Sequence, residues 1–303
     1  AEEVKRELEL IAQHQVALVT LVEDNYPSQL LNIYDPPPFL YVKGELRQED
    51  SLAVAVVGSR FASHYGKSAA ESISRGLARE GLTIVSGMAR GIDTCAHRSA
   101  LSAGGRTIAV LGCGIAVNYP VENRKLKEAI STQGALLSEF PMSTPPAASH
   151  FPMRNRIISG MSLGVVVAEA SHRSGSLITA RLALEQGRDV FAIPGSIDSL
   201  RSRGTHKLIK DGAKLVEVAQ DVITELLPQM RPRPRPAASP QGEETLLDTE
   251  ARSILEALGQ NQLQIDRIIT ETGLKSNQIS SILLDLELKG MVRQLPGKVF
   301  ARK

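Results

Sequence analysis

The sequence predicts an α/β protein in which a mostly parallel sheet is covered by helices on both faces. Apolar runs rich in β-branched residues recur along the middle of the chain, and stretches of helical periodicity separate most of them. Near-continuous apolar strands are typical of parallel sheets that are buried on both faces. The runs lie at 53–57, 82–86, 106–111, 135–138, 163–169, 189–193 and 214–218. This alternation favours a Rossmann-like domain, whose ligands bind at the carboxyl ends of the strands.

Length and composition indicate a soluble protein of about two domains. The chain has 303 residues, of which 42% are hydrophobic and 22% charged. Its longest apolar run, 163–168, is far shorter than the ~20 residues of a membrane span, so no span is expected. No signal peptide opens the chain, but it begins at Ala1, and we expect an upstream piece to be missing. Cys95 and Cys113 lack zinc-type spacing, which favours free thiols in a reducing cytoplasm.

Composition divides the chain into four expected segments. Residues 1–50 should form an N-terminal helix and an extended strap broken by prolines. Residues 51–227 should form the Rossmann-like domain, which is modestly basic, and residues 228–244 a Pro/Arg-rich linker. The linker arginines are Arg231, Arg233 and Arg235, and a solvated spacer is favoured over phosphate contacts. Residues 245–303 should form a separate small domain.

That last segment has the outline of a winged helix. Helices are predicted at about 249–258, 264–272 and 276–288, and a hairpin follows with its turn at Pro296 and Gly297. The presumed recognition helix has a mixed charge, with Lys275, Lys289, Asp285 and Glu287. A helix that reads duplex DNA normally presents a clearer basic face. The pattern therefore favours protein contact or regulation over duplex recognition.

The loop after the first apolar strand contains Gly58, Ser59 and Arg60, just before a helix that is predicted to start near Tyr65. Open amides at a helix start, together with an arginine, make an anion site. Alternatively, Arg60 only pairs with a carboxylate. The further glycines of a dinucleotide fingerprint are missing here, and no Walker A motif occurs anywhere in the chain. We therefore expect no nucleotide cofactor.

The loop after the second strand carries Gly87 and Arg90, and Asp93 and His97 follow four residues apart. Such a pair lies on one helical face and is a candidate acid/base couple. A helix-capping aspartate beside a structural histidine is the favoured interpretation. No serine, cysteine or lysine nucleophile has an evident base beside it in the sequence.

Arg154, Asn155 and Arg156 are predicted to lie just before a helix that runs toward Met161. Cations at a helix start oppose the macrodipole unless an anion neutralises them, and arginine suits bidentate phosphate contact. The alternative is a salt bridge to neighbouring carboxylates. His150 and Phe151 offer rings for base stacking, although core packing explains them equally well.

Ser174, Gly175 and Ser176 precede another predicted helix at the same edge of the sheet. Their hydroxyls and amides converge on the expected ligand, but such a turn is also common as a plain helix cap. With the loops described above, these residues complete a rim of positive side chains and hydrogen-bond donors.

Taken together, these segments resemble the DNA-processing protein A (DprA/Smf) family. The resemblance covers roughly residues 18–226 and rests on motifs in family order, which are YPSQL, DPPPFLYVKG, VAVVGSR, SGMARGIDTCAH, GCGIAVNYP, FPMRNRIISG, EASHRSGSLITA, GRDVFAIPG and GAKLV. It implies a non-enzymatic protein that binds single-stranded DNA, helps to load the RecA recombinase in natural transformation, and forms homodimers through the far end of the domain. It places the DNA pocket on Gly58, Ser59, Arg60, Arg154, Asn155 and Arg156, and we extend this pocket to Gly87, Arg90 and Ser174. The N-terminal helix resembles the remnant of a small helical domain.

Two other interpretations stay open on the sequence. One is a nucleotide-binding enzyme of the phosphoribohydrolase or decarboxylase kind, in which Glu169 and Glu185 act as acids, although the paired glycines of such loops are missing. The other is a purely structural scaffold. A dimer face is expected among Leu208, Ile209, Leu215, Val218 and Val222, but core packing of the last helix explains most of them equally well.

Overall fold

The computed structural model describes residues 2–230, 249–258, 262–288, 291–295 and 299–302. The chain forms two compact units, Ala1–Arg233 and Pro234–Lys303, and each is described by itself. Some residues named above lie outside the described residues, namely Arg231, Arg233, Arg235, Lys289, Pro296 and Gly297, and of Asp285 only the backbone is described. Within the described ranges, no helix has the length and apolar character to cross a bilayer.

A nine-stranded sheet forms the centre of the first unit, in the order β1-β2-β6-β5-β4-β3-β7-β8-β9. Its strands are β1 (Ala17–Thr20), β2 (Phe39–Gly44), β3 (Ala53–Val57), β4 (Thr83–Ser86), β5 (Thr107–Val110), β6 (Ala135–Ser138), β7 (Gly164–Val167), β8 (Asp189–Ala192) and β9 (Lys214–Leu215). From β6 to β9 every neighbouring pair is parallel, whereas β1 and β2 join one edge in antiparallel register. The predicted mostly parallel sheet is confirmed.

Helices cover both faces of this sheet. They are α1 (Glu2–His14), α2 (His64–Arg79), α3 (Ile92–Ser102), α4 (Arg124–Gln133), α5 (His150–Gly160), α6 (Ser176–Glu185), α7 (Arg203–Lys210) and α8 (Ala219–Met230). Side chains of a strand alternate between the two faces. Val54 and Val56 of β3 pack in a core with α2, α3 and α8, whereas Ala55 and Val57 pack in a core with α5 and α6.

The chain reverses its direction of winding beside β3, which lies between β4 and β7. Loops that follow these strands therefore diverge to opposite faces and leave a crevice, which is where ligands of such sheets bind. The helix after β3 begins at a serine cap, because the Ser63 hydroxyl accepts a hydrogen bond from the Gly66 amide at 3.0 Å. This places the Gly58–Arg60 loop at the crevice.

The N-terminal segment packs on both faces of the sheet, with α1 against the core beside α4 and the strap against the core beside α5. Leu10 and Ile11 of α1 contact the first of these cores, while Val4 and Leu8 are exposed. The strap after β1 is held by Tyr26, whose hydroxyl donates to the Pro37 carbonyl at 2.7 Å. The prolines lie outside the strands, as their missing N–H requires.

In the part that the structure describes, the second unit contains three helices and a three-stranded antiparallel sheet. Its elements are α9 (Thr249–Leu258), β10 (Gln262–Gln264), α10 (Ile265–Thr272), α11 (Ser276–Leu288), β11 (Val292–Leu295) and β12 (Val299–Arg302), with the strand order β10-β12-β11. Its core is formed by its own apolar residues, among them Ile254, Leu283 and Phe300. Gly273 ends α10 in the left-handed region, at φ 69°, which a glycine adopts without strain. The expected winged-helix outline is confirmed.

Candidate nucleic-acid interface

A cavity of about 500 Å³, which we call the main cleft, lies at the carboxyl ends of β3 and β7. Loops after β3 and β7 form one wall, and the first turns of α5 and α6 form the other. Its lining includes six of the nine predicted site residues, which are Gly58, Ser59, Arg60, Arg154, Asn155 and Ser174. The structure thus brings together loops that are more than a hundred residues apart in sequence.

A smaller cavity of about 120 Å³, which we call the aromatic pocket, adjoins the main cleft beyond β4 and β5. Gly87 and Arg90 line it, together with residues of the loop after β5. Both cavities share a common wall, which consists of Arg60, Phe61, Ala89, Phe151 and Arg154. Eight of the nine predicted residues therefore line one continuous depression.

The loop after β3 is fixed by backbone hydrogen bonds rather than left open. The Ser59 amide donates to the Glu169 carbonyl at 2.8 Å, and the Ser59 carbonyl accepts from the Ile92 amide at 3.2 Å. A Cβ at Gly58 would lie 2.6 Å from the Ile92 side chain, so this approach requires glycine. The expectation of an unoccupied amide at Ser59 was wrong, because the neighbouring strand end uses it.

Arg60 projects from this rigid loop into the wall shared by the two cavities. Its guanidinium lies over the Phe151 ring, 4.9 Å from the ring centroid. Among the described residues it forms no ion pair, so the alternative that it pairs with a carboxylate is not what the structure contains. A cation over an aromatic face keeps its charge available to an anion while the ring holds its position.

Arg154 differs from the prediction in position and burial. The helix α5 begins at His150, so Arg154 and Arg156 lie in its second turn instead of before its start. Pro152 lies in the first turn of α5, where proline is tolerated. The Arg154 side chain is therefore enclosed by the sheet edge, with only 4% of the residue exposed.

The buried Arg154 guanidinium is incompletely satisfied. One terminal nitrogen, Nη1, donates to the Gly87 carbonyl at 2.6 Å and to the Val110 carbonyl, while the buried Nε has no partner. Burial lowers the pKa of Arg154 to about 10, and the nearby Asp93 carboxylate opposes that shift. The group stays charged at neutral pH, so a buried cation faces the cavities with unused donor capacity.

Asp93 stabilises the loop after β4. Its Oδ2 accepts from the Gly87 and Ala89 amides, at 3.2 Å each, so it ties down the preceding loop. Burial raises the pKa of Asp93, and the positive charge of Arg154 counteracts this. His97 uses a different partner, since its Nδ1 lies 2.7 Å from the Thr107 hydroxyl, and burial lowers its pKa to about 3. These contacts favour the structural interpretation over an acid/base couple.

Arg156 does not line either cavity, so its expected contact with phosphate stays a prediction. Its guanidinium forms a two-pronged pair with Glu139, with Nη2–Oε2 at 2.8 Å and Nη1–Oε1 at 3.0 Å, and Nε lies 3.3 Å from Asp35 Oδ2. The alternative of neighbouring carboxylates therefore applies here. Arg90 also has an acidic partner, Glu122, at 2.5 Å, but both side chains are more than half exposed.

Hydroxyl and amide groups complete the main cleft. The Ser174 and Ser176 hydroxyls lie 2.8 Å apart at the start of α6, and Asn155 and Thr179 are nearly buried beside them. Ser174 is thus both part of a helix start and part of the cleft wall. Uncharged groups of this kind donate hydrogen bonds to a base or a sugar and accept hydrogen bonds from them.

Two aromatic residues of the site were missed on the sequence. Phe61 follows Arg60 and is 77% exposed, and Tyr119 packs its ring 5.8 Å from that of Phe151. The sequence signal was that Phe61 directly follows the motif VAVVGSR and that Tyr119 lies within the motif GCGIAVNYP. His150, by contrast, stacks on Phe140 at 4.3 Å, so of the two suggested rings only Phe151 lines the cavities.

The residues required by the enzyme interpretation are engaged elsewhere. Glu169 is buried, with its carboxylate accepting from the Ser63 amide at 3.1 Å and from the Ser63 hydroxyl. Glu185 pairs with Arg181 at 3.4 Å at the far end of α6. Within the described part of the chain, no group of three or more His, Cys, Asp or Glu residues is placed to hold a metal.

Fold and site together define a Rossmann-like α/β protein with an arginine-bearing, aromatic-walled cleft at the carboxyl edge of its sheet. The chain belongs to the DNA recombination-mediator protein A family, whose model matches residues 17–227. A second model, the DprA winged helix domain, matches residues 231–298. The resemblance drawn from the motifs is confirmed.

Individual relatives agree with this assignment. Protein Smf of Escherichia coli is 43% identical over 92% of this chain and 76% of its own. DNA processing protein DprA of Streptococcus pneumoniae is 52% identical over 68% of this chain and 73% of its own. The crystal structure of that S. pneumoniae protein superposes with a TM-score of 0.68 at 49% identity, covering 71% of this chain and 76% of that chain.

A second solved structure is that of DNA processing protein A from Helicobacter pylori. It superposes with a TM-score of 0.64 at 32% identity and covers 72% of this chain and 98% of that chain. The H. pylori protein binds single-stranded DNA.

Proposed function

We propose that this protein binds single-stranded DNA in the main cleft and the aromatic pocket, without catalysing a reaction on it. The observation that carries the proposal is the pair of arginines in the shared wall. Arg60 has no acidic partner among the described residues, and Arg154 is a buried cation with an unpartnered Nε. A buried charge of this kind is costly unless an anion completes its contacts. The DNA-binding H. pylori relative supports a polynucleotide as that anion.

The arrangement separates the parts of a nucleotide. Phosphate oxygens match the guanidinium of Arg60, which the Phe151 ring holds in place. Bases match the faces of Phe61 and Tyr119, because every base presents a π-face to an aromatic ring. Contacts of this kind carry little sequence information, so we expect a weak sequence preference.

Replacing Arg60 tests the proposal. Arg60→Ala should lower the affinity for an oligo-thymidine about tenfold and reduce the slope of log affinity against log salt by about 0.7, since one phosphate contact is lost. The same loss is expected for an oligo-cytidine. Fluorescence anisotropy over a salt series measures both quantities.

Arg75→Ala is the matched control, because Arg75 is exposed near the C-terminal end of α2, away from the cleft. This substitution removes the same charge as Arg60→Ala. It should leave the salt slope unchanged. If Arg60→Ala binds like Arg75→Ala, the cleft is not the binding site. A gel shift that compares single-stranded with duplex DNA completes the test.

Membership of the family supports a role in DNA recombination, in which the protein protects incoming single strands and helps to load RecA during natural transformation. Residues 51–227 form the DNA-binding domain in this proposal, with Arg90, Asn155 and Ser174 as contributing site residues. The rate at which RecA assembles on a single strand should rise with the wild-type protein and less with Arg60→Ala. An equal effect of both proteins would exclude loading from this cleft.

We also propose that the protein acts in the cytoplasm as a homodimer. Leu215 and Val218 are exposed beside β9, whose outer edge ends the sheet. Val222 is fully buried and belongs to the core instead, so it drops out of the expected dimer face. Light scattering at several concentrations gives the mass, and Leu215→Asp should shift it toward a monomer. A wild-type protein that is monomeric at every concentration would contradict the dimer.

A further inference from the structure

A third cavity, which we call the serine cavity, lies on the opposite side of the β3 loop from the aromatic pocket. It has a volume of about 450 Å³ and sits over the ends of β3, β7 and β8. Its lining consists of Ser63, Tyr65, Glu169, Pro194, Gly195, Ser196, Ser199 and Ser202. The three cavities together follow the sheet edge from β5 to β8, a width of about 19 Å at the usual strand spacing.

The loop after β3 joins the serine cavity to the main cleft. Ser59, Arg60 and Phe61 line the main cleft, and Ser63, two residues further on, lines the serine cavity. Phe61 lines the main cleft and the aromatic pocket, and most of the residue is exposed. An exposed phenyl ring in the wall of a nucleic-acid cleft, on the loop that continues to the next cavity, is placed to stack on a base of a strand that follows this loop.

The loop after β8, which forms the far wall of the serine cavity, is rigid. The Tyr65 hydroxyl donates to the Pro194 carbonyl at 2.6 Å and fastens this loop to α2. Successive turns follow, because the Ser199 amide donates to the Ser196 carbonyl and the Ser202 amide to the Ser199 carbonyl, at 3.1 Å each. The loop is therefore preorganised to present its outward side chains.

Those outward side chains include two arginines and a leucine. Arg201 and Arg203 are exposed, and within the described residues neither forms an ion pair, while Leu200 is exposed beside them. Arg203 is the first residue of α7, whose first turn contains no acidic residue. Two unpaired cations beside an apolar side chain match the phosphate and base of a nucleotide.

The acidic groups near the serine cavity limit how a strand could lie in it. The Glu169 carboxylate is buried and already accepts hydrogen bonds from Ser63, so it repels a phosphate and leaves only a sugar or base edge to face it. Asp198 is exposed in the same loop. The phosphates must therefore follow the outer side of the loop, where Arg201 and Arg203 lie.

We propose that a bound single strand extends from the main cleft across Phe61 into the serine cavity, where Arg201 and Arg203 hold its phosphates and Leu200 contacts a base. This extension rests on the proposed function. It adds a second binding segment that short oligonucleotides do not reach. In this proposal the bound strand runs along the edge of the sheet, from the end of β5 to the end of β8.

A length comparison tests the extension. The double variant Arg201→Ala/Arg203→Ala should bind a thymidine trinucleotide like the wild type, because the main cleft is unchanged. It should bind a thymidine dodecanucleotide about tenfold more weakly, with a salt slope reduced by about 1.4 for two lost phosphate contacts. The matched control is Arg75→Ala/Arg79→Ala, which removes the same charge near the end of α2.

A fluorescence reporter gives an independent readout, because the chain contains no tryptophan. Leu200→Trp should be quenched by the dodecanucleotide and not by the trinucleotide. Leu184→Trp, at an exposed position near the far end of α6, should respond to neither. Stacking of a base on the indole ring is the cause of the expected quenching.

The extension is overturned if the double variant binds the dodecanucleotide with the same affinity as its control. It is also overturned if the double variant loses as much affinity for the trinucleotide as for the dodecanucleotide, since the arginines would then act on the main cleft. The proposed function fails in a different way. Unchanged trinucleotide binding by Arg60→Ala would remove the main cleft as the binding site, whatever the double variant does.

Discussion

Contacts with single residues at the sheet edge fix the buried Arg154 side chain in one position, whereas an exposed arginine side chain is free to move. Asp93 fixes the Gly87–Ala89 loop through two amides, and the Gly87 carbonyl in turn receives the Arg154 guanidinium. Because the charge is enclosed, each of these contacts counts for more than it would in water. Because burial destabilises the Arg154 cation, an anion that binds in the cleft would stabilise it.

Gly87→Ala should displace Arg154, because a Cβ at this position would collide with the guanidinium. We expect a loss of about 1–3 kcal/mol in the free energy of unfolding, typical of overpacking, together with weaker binding of single-stranded DNA. Urea unfolding followed by circular dichroism measures the first effect. Gly175→Ala is the control, since a Cβ there meets open space. Equal stability of the two variants would contradict this account.

His97 should make the stability of the first unit depend on pH. Its pKa is about 3 in the folded protein against 6.5 as the ordinary value, because burial opposes its charged form. The unfolded chain therefore binds the extra proton as the pH falls from 6.5 toward 3, and acid favours unfolding in that window. This group should cost about 2–3 kcal/mol between about pH 7 and about pH 4.5.

His97→Gln removes that titration, so its unfolding free energy should fall less steeply than that of the wild type across the same pH range. Urea midpoints at both pH values test this, even though the variant starts from a lower stability. Parallel slopes for the two proteins would show that His97 is not the responsible group.

Among the elements, α5 contributes most to the site because its two arginines have different tasks. Arg154 faces the sheet edge, and Arg156 faces Glu139 at the end of β6 and Asp35 in the strap. Two positions apart on a helix, the side chains point to different sides. The helix therefore presents one cation to the cleft and uses the other to fasten β6 and the strap.

Arg156→Ala should destabilise the protein by about 1–3 kcal/mol and leave the affinity for a thymidine trinucleotide nearly unchanged, because the half-buried Glu139 loses its partner. Urea unfolding and anisotropy on the same sample separate the two effects. Glu139→Gln should reproduce the loss of stability. A tenfold loss of affinity at unchanged stability would return Arg156 to the binding site.

Most elements of the first unit were predictable because their signals are local. The strands from β3 to β8 are short apolar runs, and glycine turns separate them from helices with clear periodicity. The pairing of β2 with β6 was not predictable, because the sequence of β2 does not indicate which strand it pairs with, and β6 lies more than ninety residues away. The start of α5 was placed too late in the sequence, since the helix already begins at His150.

At the scale of the whole molecule, each unit forms its own core. The apolar clusters of the first unit contain only residues up to position 230, and that of the second unit begins at Ala251. Cores that share no residues are expected to unfold independently.

Ending the chain after Met230 should therefore leave the urea midpoint of the first unit unchanged. The shortened protein should also bind the thymidine trinucleotide with wild-type affinity, since all residues of the main cleft are retained. Circular dichroism and anisotropy measure these two quantities. A lower midpoint would show that the second unit stabilises the first.

By itself, the sequence determined the type of sheet, because apolar periodicity and glycine turns act over a few residues. It also identified the family through motifs in order. Tertiary structure alone decided which arginine is available. Arg156 meets acids 17 and 121 residues away, and Arg60 meets Phe151 across the sheet edge. Charge pairing depends on distance in space, and only the folded chain sets that distance.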